Sequence, residues 1–451
     1  MSATRLPTST PIHIIGVGGA GMSGVARLLH ERGHHVSGCD ATDSAVLDEL
    51  ASEGIEIFRG HDASHVEGAG LVLWSPAVPA EHVERRSAAD AGVEAWDRPT
   101  FLGWLCDELR TVAVAGTHGK TTATSMLACV WQAAGLDAAR LLGADVAGVG
   151  SNGHWGHDWL LLELDESYGT FAQSSPRTLA VLNIEADHLD HYGDVGQLER
   201  AFSELMLRTR GPIVIVADDA GAVRAAGRLP GVVTVGTTAG VAWFIDDVVL
   251  EPTRSRFTLR HDGEEWPIEL SVTGRHNILN AAAVAALAHV NAIGFDDVAR
   301  GLQSFRGAPR RFTYRGRWRD VPVYEDYAHL PGEIDATIAT LREVGYQRPL
   351  IVFQPHRVTR TAALGAELGR ALAGADRVIV TGIYTAGEPN PLGVTGEVVA
   401  EAVRGAGCPV TYVESLADVA QRIDLGDADV VAVLGAGDVA SLVDGLPGGV
   451  V

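Results

Sequence analysis

Short apolar runs, several of them followed by a turn and a helix-spaced stripe, recur along the chain. Ile12-His13-Ile14-Ile15 reads as a buried strand, Gly16 to Gly21 as a turn, and Met22, Val25, Leu28 and Leu29 as the apolar face of a helix running to Glu31. A second strand ends near Asp40, and Leu71-Val72-Leu73-Trp74 forms another before the turn Ser75-Pro76-Ala77-Val78-Pro79. Thr111 to Ala115 is again strand-like. It leads through Gly116 to Thr122 into an apolar helix expected over about 123–134. Further strands are predicted at 159–164, 179–183 and 213–217, antiparallel-type alternation over 241–272, and an alanine-rich helix over 280–289. Beyond Arg310-Arg311-Phe312 the strands fall at 350–354, 378–381, 410–413 and 430–434, with helices between.

Strands alternating with helices predict α/β units with parallel sheets. The expected fold is therefore α/β in three domains: a Rossmann-like N-terminal domain (1–107), a central phosphate-loop ATPase domain (108–308) and a Rossmann-like C-terminal domain (309–451). Three domains also suit 451 residues at roughly 150 per domain.

Composition narrows the function classes. The chain has 46% hydrophobic and 20% charged residues, ordinary for a globular enzyme. Its formal charge of −22 repels polyanions, so nucleic acid is not an expected partner. The N-terminal stretch lacks the apolar segment of a signal peptide, and no run approaches the ~18 apolar residues of a membrane span. Cys39, Cys106, Cys129 and Cys408 show no zinc-like spacing, and Cys39 and Cys129 read as small core residues. A cytoplasmic enzyme of small molecules, monomeric or weakly dimeric, is the expectation.

Lys120 is the only lysine in the chain. It stands in Gly116-Thr117-His118-Gly119-Lys120-Thr121-Thr122, between a strand and a helix, where glycines let backbone N–H groups reach phosphate oxygens. Lys120 would meet the β- and γ-phosphates and Thr121 would bind Mg²⁺. Val114 occupies the place of the first glycine of the full pattern, so the loop is a variant. Two acidic motifs follow at strand ends, Glu163-Leu164-Asp165-Glu166 and Asn183 to Asp190 with His188 among its acids. Such strand ends face the crevice of an open α/β sheet, and a hard cation prefers oxygen ligands such as Glu163. Gly16-x-Gly18-x-x-Gly21 with Asp40 also satisfies a dinucleotide fingerprint, which by itself would point to an oxidoreductase.

The loop at 116–122, Asn183-Ile-Glu-Ala-Asp-His-Leu-Asp190 and Gly274-Arg-His-Asn277 resemble the Mur ligase family. The runs at 15–24, Glu325 to His329, Phe353 to Arg357 with Arg360, and Gly435 to Asp438 are similar to its alanine-adding branch. That resemblance implies ATP-dependent joining of L-alanine to UDP-N-acetylmuramate through an acyl phosphate, with ATP and Mg²⁺ as cofactors. It implies Thr121, Glu163 and His188 as cation ligands, Asn277 at adenine, and Arg311 and Asp326 closing on the nucleotide. It places Gly16, Gly18, Gly19, Ala20, Gly21 and Asp40 at the UDP-sugar, with His61 and Ser75 near it. His356, Arg357 and Arg360 would meet the amino acid, and Lys120, His188, His329 and Arg357 would carry the chemistry. The chain departs from the family's pattern at Tyr168 and at Leu330. It cannot carry the carbamylated lysine of sister branches, since Lys120 is its one lysine. A ligase that recycles a preformed tripeptide, and a UDP-sugar-binding protein with reduced catalysis, are the alternative readings.

Overall fold

The structure is a computed structural model that describes residues 6–446 and 449–450, with the side chain of Asp190 left aside. Its first sheet holds β1 (Ile12–Ile15), β2 (Val36–Asp40), β3 (Glu56–Arg59), β4 (Leu71–Trp74) and β5 (Glu94–Asp97), all parallel, in the order β3-β2-β1-β4-β5. The crossovers carry α1 (Ala20–Glu31), α2 (Ala45–Ser52), a 3₁₀ turn at Ala63–Val66 and α3 (Val83–Ala91). Strand order reverses at β1 and β4, the switch point at which such sheets open a crevice. The turn after β1 begins at this crevice.

α4 (Arg98–Glu108) starts with Pro99 in its first turn, and the Asp97 carboxylate caps it by accepting from the Thr100 N–H at 2.9 Å. It delivers the chain to β6 (Arg110–Ala115) and α5 (Lys120–Ala133). β7 (Ala139–Leu141), β8 (Gly153–His154), β9 (Trp159–Leu164) and β10 (Thr178–Val181) follow. Next come α6 (Leu189–Tyr192), α7 (Val195–Arg208), β11 (Ile213–Val216), α8 (Ala220–Ala226) and β12 (Val232–Gly236). β13 (Trp243–Glu251), β14 (Arg254–His261) and β15 (Glu264–Leu270) are joined by two-residue links, which only antiparallel neighbours allow. The ten strands run in the order β15-β14-β13-β12-β11-β10-β6-β9-β7-β8, and β6 lies between β10 and β9, parallel to both.

After α9 (Arg275–Val290) and α10 (Phe295–Ser304), a third sheet forms from β16 (Thr313–Trp318), β17 (Val321–Asp326), β18 (Pro349–Phe353), β19 (Arg377–Thr381), β20 (Val410–Val413) and β21 (Val430–Leu434). Its order is β16-β17-β21-β18-β19-β20, parallel except for the β16–β17 hairpin. Between its strands lie α11 (Pro331–Glu343), α12 (Val358–Leu372), α13 (Glu397–Gly405) and α14 (Leu416–Arg422).

The chain forms two compact units. One takes residues up to 248 with 256–270 and 277–306; the other takes 249–255, 271–276 and the chain from 307. The first sheet and most of the second thus share a unit. They are joined where α1 meets β8: a Cβ on Gly153 would overlap the Gly24 backbone, so only glycine lets the two elements approach this closely. Arg27, buried on α1, seals the junction with ion pairs to Glu53 at 2.8 Å, Glu49 at 3.3 Å and Asp145 at 3.4 Å. It also donates to Asn152 at 2.8 Å.

Three of the boundaries that differ from the sequence reading bear on the site. α5 begins at Lys120 instead of near 123, because Gly119 in the left-handed region caps the helix one residue earlier. α9 begins five residues before position 280, so Asn277 lies in a helix. β10 stops at Val181, which frees Asn183 for a contact described below. No helix among the described residues is long and apolar enough to cross a membrane.

Candidate active site

β6 is a fully buried strand after its first residue, and it ends by handing the chain to Gly116, whose φ of 145° excludes most side chains. The loop is braced from β10's side. Asn183 accepts from the His118 N–H at 2.7 Å and donates to the His118 carbonyl at 3.1 Å, while its own carbonyl accepts from the Thr117 N–H at 3.0 Å. His118 also reaches Glu185 at 3.3 Å. A Cβ on Gly119 would come within 2.8 Å of the Asn280 amide, so α9 presses on the loop as well. Asn277 is buried one turn away on the same helix. Thr122 lies buried in the first turn of α5.

Lys120 folds back over this loop. Its ammonium donates to the Gly116 carbonyl at 2.7 Å, the Thr117 carbonyl at 3.2 Å and the Glu166 carboxylate at 2.7 Å, with Asp165 at 3.6 Å. Burial pulls the ammonium down, but Glu166 and Asp165 outweigh it and hold it above the ordinary lysine range. Glu166 is fully buried, its second oxygen lacks a hydrogen-bond partner, and burial pushes it up to about 7 against the pull of Lys120. Asp165 accepts from Ser167 and stays below its ordinary value; burial opposes this, and Lys120 overcomes it.

Thr121, the next residue, points the other way and donates to Glu163 at 3.0 Å, and the Gly143 N–H donates to the other Glu163 oxygen at 2.7 Å. A Cβ on Gly143 would stand 2.6 Å from both Glu163 Oε1 and Thr121 Oγ1. The glycine therefore keeps open a cradle of hard oxygen donors, which suits Mg²⁺. His188 belongs to a neighbouring group. Its ring groups with Asp165 and Glu166, all within 4.8 Å, and its backbone is held left-handed at φ 52°.

In the first sheet, the glycine turn after β1 is tied to Asp40, which accepts from the Gly18 N–H at 3.0 Å. Gly16 lies beside Ser75, Gly19 caps α1, and Ala20 opens it. Gly21 leaves room for Arg98, whose guanidinium a Cβ there would overlap. Arg98 Nε has no hydrogen-bond partner, and burial lowers its pKa against the attraction of Asp165 and Glu163. His61 turns towards Glu84 at 3.5 Å.

The second unit assembles its own group. Asp326 ends β17 and accepts from the Phe312 and Ala328 N–H groups at 2.9 and 2.8 Å; burial pushes it up to about 6. Arg311 lies over the Tyr327 ring and pairs with Glu333 at 3.5 Å. His329 also meets Glu333, at 3.1 Å, and its ring centroid is 5.8 Å from that of His356. His356 stacks on Tyr384 and lies 3.1 Å from Arg360, while Arg357 is 3.8 Å from Glu388. His329, His356, Arg357 and Arg360 thus follow β17 and β18, and Arg311 joins His329 through Glu333.

Burial, with the neighbouring His329, Arg360 and Arg357, pushes His356 down to about 4. In the unfolded chain the ring titrates near 6.5, so the folded state forgoes a proton that the unfolded state takes up between those values. Stability is unaffected above pH 6.5 and falls as pH drops towards 4. His356→Gln is expected to remove about one proton's worth, ~1.4 kcal/mol per pH unit, from the slope of denaturation free energy between pH 6 and 4.5. An unchanged slope would show that the ring is charged in the native protein.

Asn183, Gly143, Asn280 and Arg98 were not singled out from sequence, although Asn183 lay inside a quoted motif. Tyr168 is exposed and left-handed at φ 53°, whereas Leu330 is buried at the start of α11.

Residues 11–110 match the Mur ligase family, catalytic domain; residues 114–288 match the Mur ligase middle domain; residues 310–437 match the Mur ligase, glutamate ligase domain. The chain is 40% identical over 440 residues to a UDP-N-acetylmuramate–L-alanine ligase of Cutibacterium acnes, covering 95% of this chain and 93% of that one. A protein of the same name from Acidithiobacillus ferrooxidans is 39% identical over 447 residues, covering 96% of each. The crystal structure of a UDP-N-acetylmuramate–alanine ligase from Thermotoga maritima superposes with a TM-score of 0.80 at 29% identity, over 96% of this chain and 97% of that one.

Proposed function

The chain belongs to the Mur ligase family, and from that premise we propose that it joins L-alanine to UDP-N-acetylmuramate with cleavage of ATP, in peptidoglycan precursor synthesis. The observation that carries ATP-dependent ligation is the cradle of Thr121, Glu163 and Gly143 beside the ammonium of Lys120. Alanine as the acceptor rests on relatives of that name that run in register with almost the whole chain.

In this reading residues 1–107 bind the UDP-sugar, 108–308 bind ATP and 309–451 bring the amino acid. The lactyl carboxylate attacks the γ-phosphorus, the bond to ADP breaks, and an acyl phosphate forms. The alanine amine then attacks the acyl carbon, orthophosphate leaves, and the amine gives up a proton. Lys120 trades its carbonyl partners at Gly116 and Thr117 for phosphate oxygens and offsets the negative charge that spreads over them. Thr121 and Glu163 would hold Mg²⁺, which would supply charge neutralisation for the phosphoryl transfer. The guanidinium forks of Arg357 and Arg360 suit the alanine carboxylate. His329 is the base candidate beside them, and His188 would orient the attacking carboxylate from its place at Asp165 and Glu166.

Phosphate release from ATP, measured with UDP-N-acetylmuramate across L-alanine, glycine, L-serine and the preformed tripeptide, tests the proposal. L-alanine-dependent release with the matching amide product is the expected result. Release with the tripeptide alone would move the chain to peptide recycling. Tight UDP-sugar binding without release would make it a binding protein.

Arg98 stands where the sugar-binding turn meets Asp165 and Glu163, so it is expected to position the sugar nucleotide. Arg98→Ala should raise KM for UDP-N-acetylmuramate about tenfold or more, the scale of one lost charged contact, while KM for ATP changes little. A rise confined to ATP would reverse that assignment.

A further inference from the structure

On the face of the first sheet that carries α3 and the 3₁₀ turn at Ala63–Val66, four elements deliver metal-ligating side chains to one buried point. His13 comes from β1, Cys39 from β2, His65 from the 3₁₀ turn and Glu84 from the first turn of α3. Their ligand atoms all lie within 4.8 Å of one another, and His13, Cys39 and Glu84 are fully buried. Glu84 is the hub: Cys39 donates to it at 2.8 Å, and His65 Nδ1 lies 2.7 Å from its other oxygen. His13 Nε2 faces Glu84 at 3.8 Å without a hydrogen-bond partner.

We propose that His13, Cys39, His65 and Glu84 form a zinc site distinct from the phosphate-loop cradle. Four donors of mixed nitrogen, sulfur and oxygen character match a tetrahedral Zn²⁺ site, in which ligand atoms stand roughly 3.3–3.8 Å apart. Loading would lengthen the two short separations by less than about 1 Å. Charge balances: the Cys39 thiol loses its proton to solvent, its thiolate and the Glu84 carboxylate supply two negative charges, and both imidazoles stay neutral beside one dication. The surrounding contacts favour this geometry. Ser37 holds His13 Nδ1 at 2.9 Å, which fixes the ring with Nε2 towards the cluster, and Phe58 stacks on His65 at 4.3 Å. His61 and His82, partly exposed, each place Nδ1 within 4.0 Å of Glu84 and mark a route from solvent.

The full chain, stripped by chelator and titrated with Co²⁺, tests the site. A near-ultraviolet thiolate-to-cobalt charge-transfer band saturating at one equivalent is expected, lost on adding Zn²⁺. Cys39→Ser should abolish the band, and His65→Asn should weaken Co²⁺ affinity at least about tenfold. Zn²⁺ should raise the thermal midpoint of wild type and leave that of Cys39→Ser unchanged. If Cys39→Ser does not fold, the wild-type titration with His65→Asn decides. No charge-transfer band in wild type, a band that survives in Cys39→Ser, or affinity unmoved by His65→Asn would overturn the proposal and leave the cluster as a hydrogen-bond network.

Discussion

Lys120→Ala is expected to lower ATP-dependent phosphate release by about 10²–10³-fold, the scale of losing one preorganised group aimed at developing charge. Lys120→Arg should not restore it. The ammonium fits between the Gly116 and Thr117 carbonyls and Glu166, all within 3.2 Å, and a planar guanidinium is too wide for that pocket. The fold should survive Lys120→Ala. Burial already holds Glu166 at about 7, so a carboxyl that loses its lysine takes up a proton and does not remain an unpaired buried charge. A thermal midpoint near wild type with activity lost would therefore separate a chemical role from a structural one. Near-wild-type turnover in Lys120→Ala would remove the phosphate loop from the mechanism.

Gly143→Ala is the second large effect. Gly143 does not have a left-handed backbone, so alanine is sterically acceptable to the main chain and only the space ahead of it matters. That space is the cation cradle: the new methyl would lie 2.6 Å from Glu163 Oε1 and Thr121 Oγ1 and 2.9 Å from Glu163 Oε2. The donors must move apart, and misplacement by about 1 Å lowers turnover by roughly 10²-fold. A Mg²⁺ titration of phosphate release should show the half-saturating concentration rising with the fall in rate. An unchanged Mg²⁺ requirement would place the ion elsewhere, the group of Asp165, Glu166 and His188 being the next candidate.

Local pattern alone determined that the chain is α/β, that many of its strands fall on short apolar runs, and that Lys120 stands at a strand–loop–helix junction. These features depend on residues within a few positions of one another: a buried strand needs its own apolar run, and a phosphate loop needs glycines beside its lysine. The motif order along the chain likewise carried the family resemblance. Tertiary structure decided which acid faces which cation. The acidic run at 163–166 does not itself say which cation each acid meets, and the fold sends Glu163 to Thr121 while Asp165 and Glu166 go to Lys120 and His188. It alone brought Asn183 under His118, Gly143 onto Glu163 and Arg98 beneath Gly21, because each pair is distant in sequence and close only after strands have paired. The same reason hid the cluster at Glu84. Its cysteine and histidines lack the spacing of a zinc motif, since β1, β2, the 3₁₀ turn and α3 each contribute one donor, and parallel pairing across the sheet gathers them.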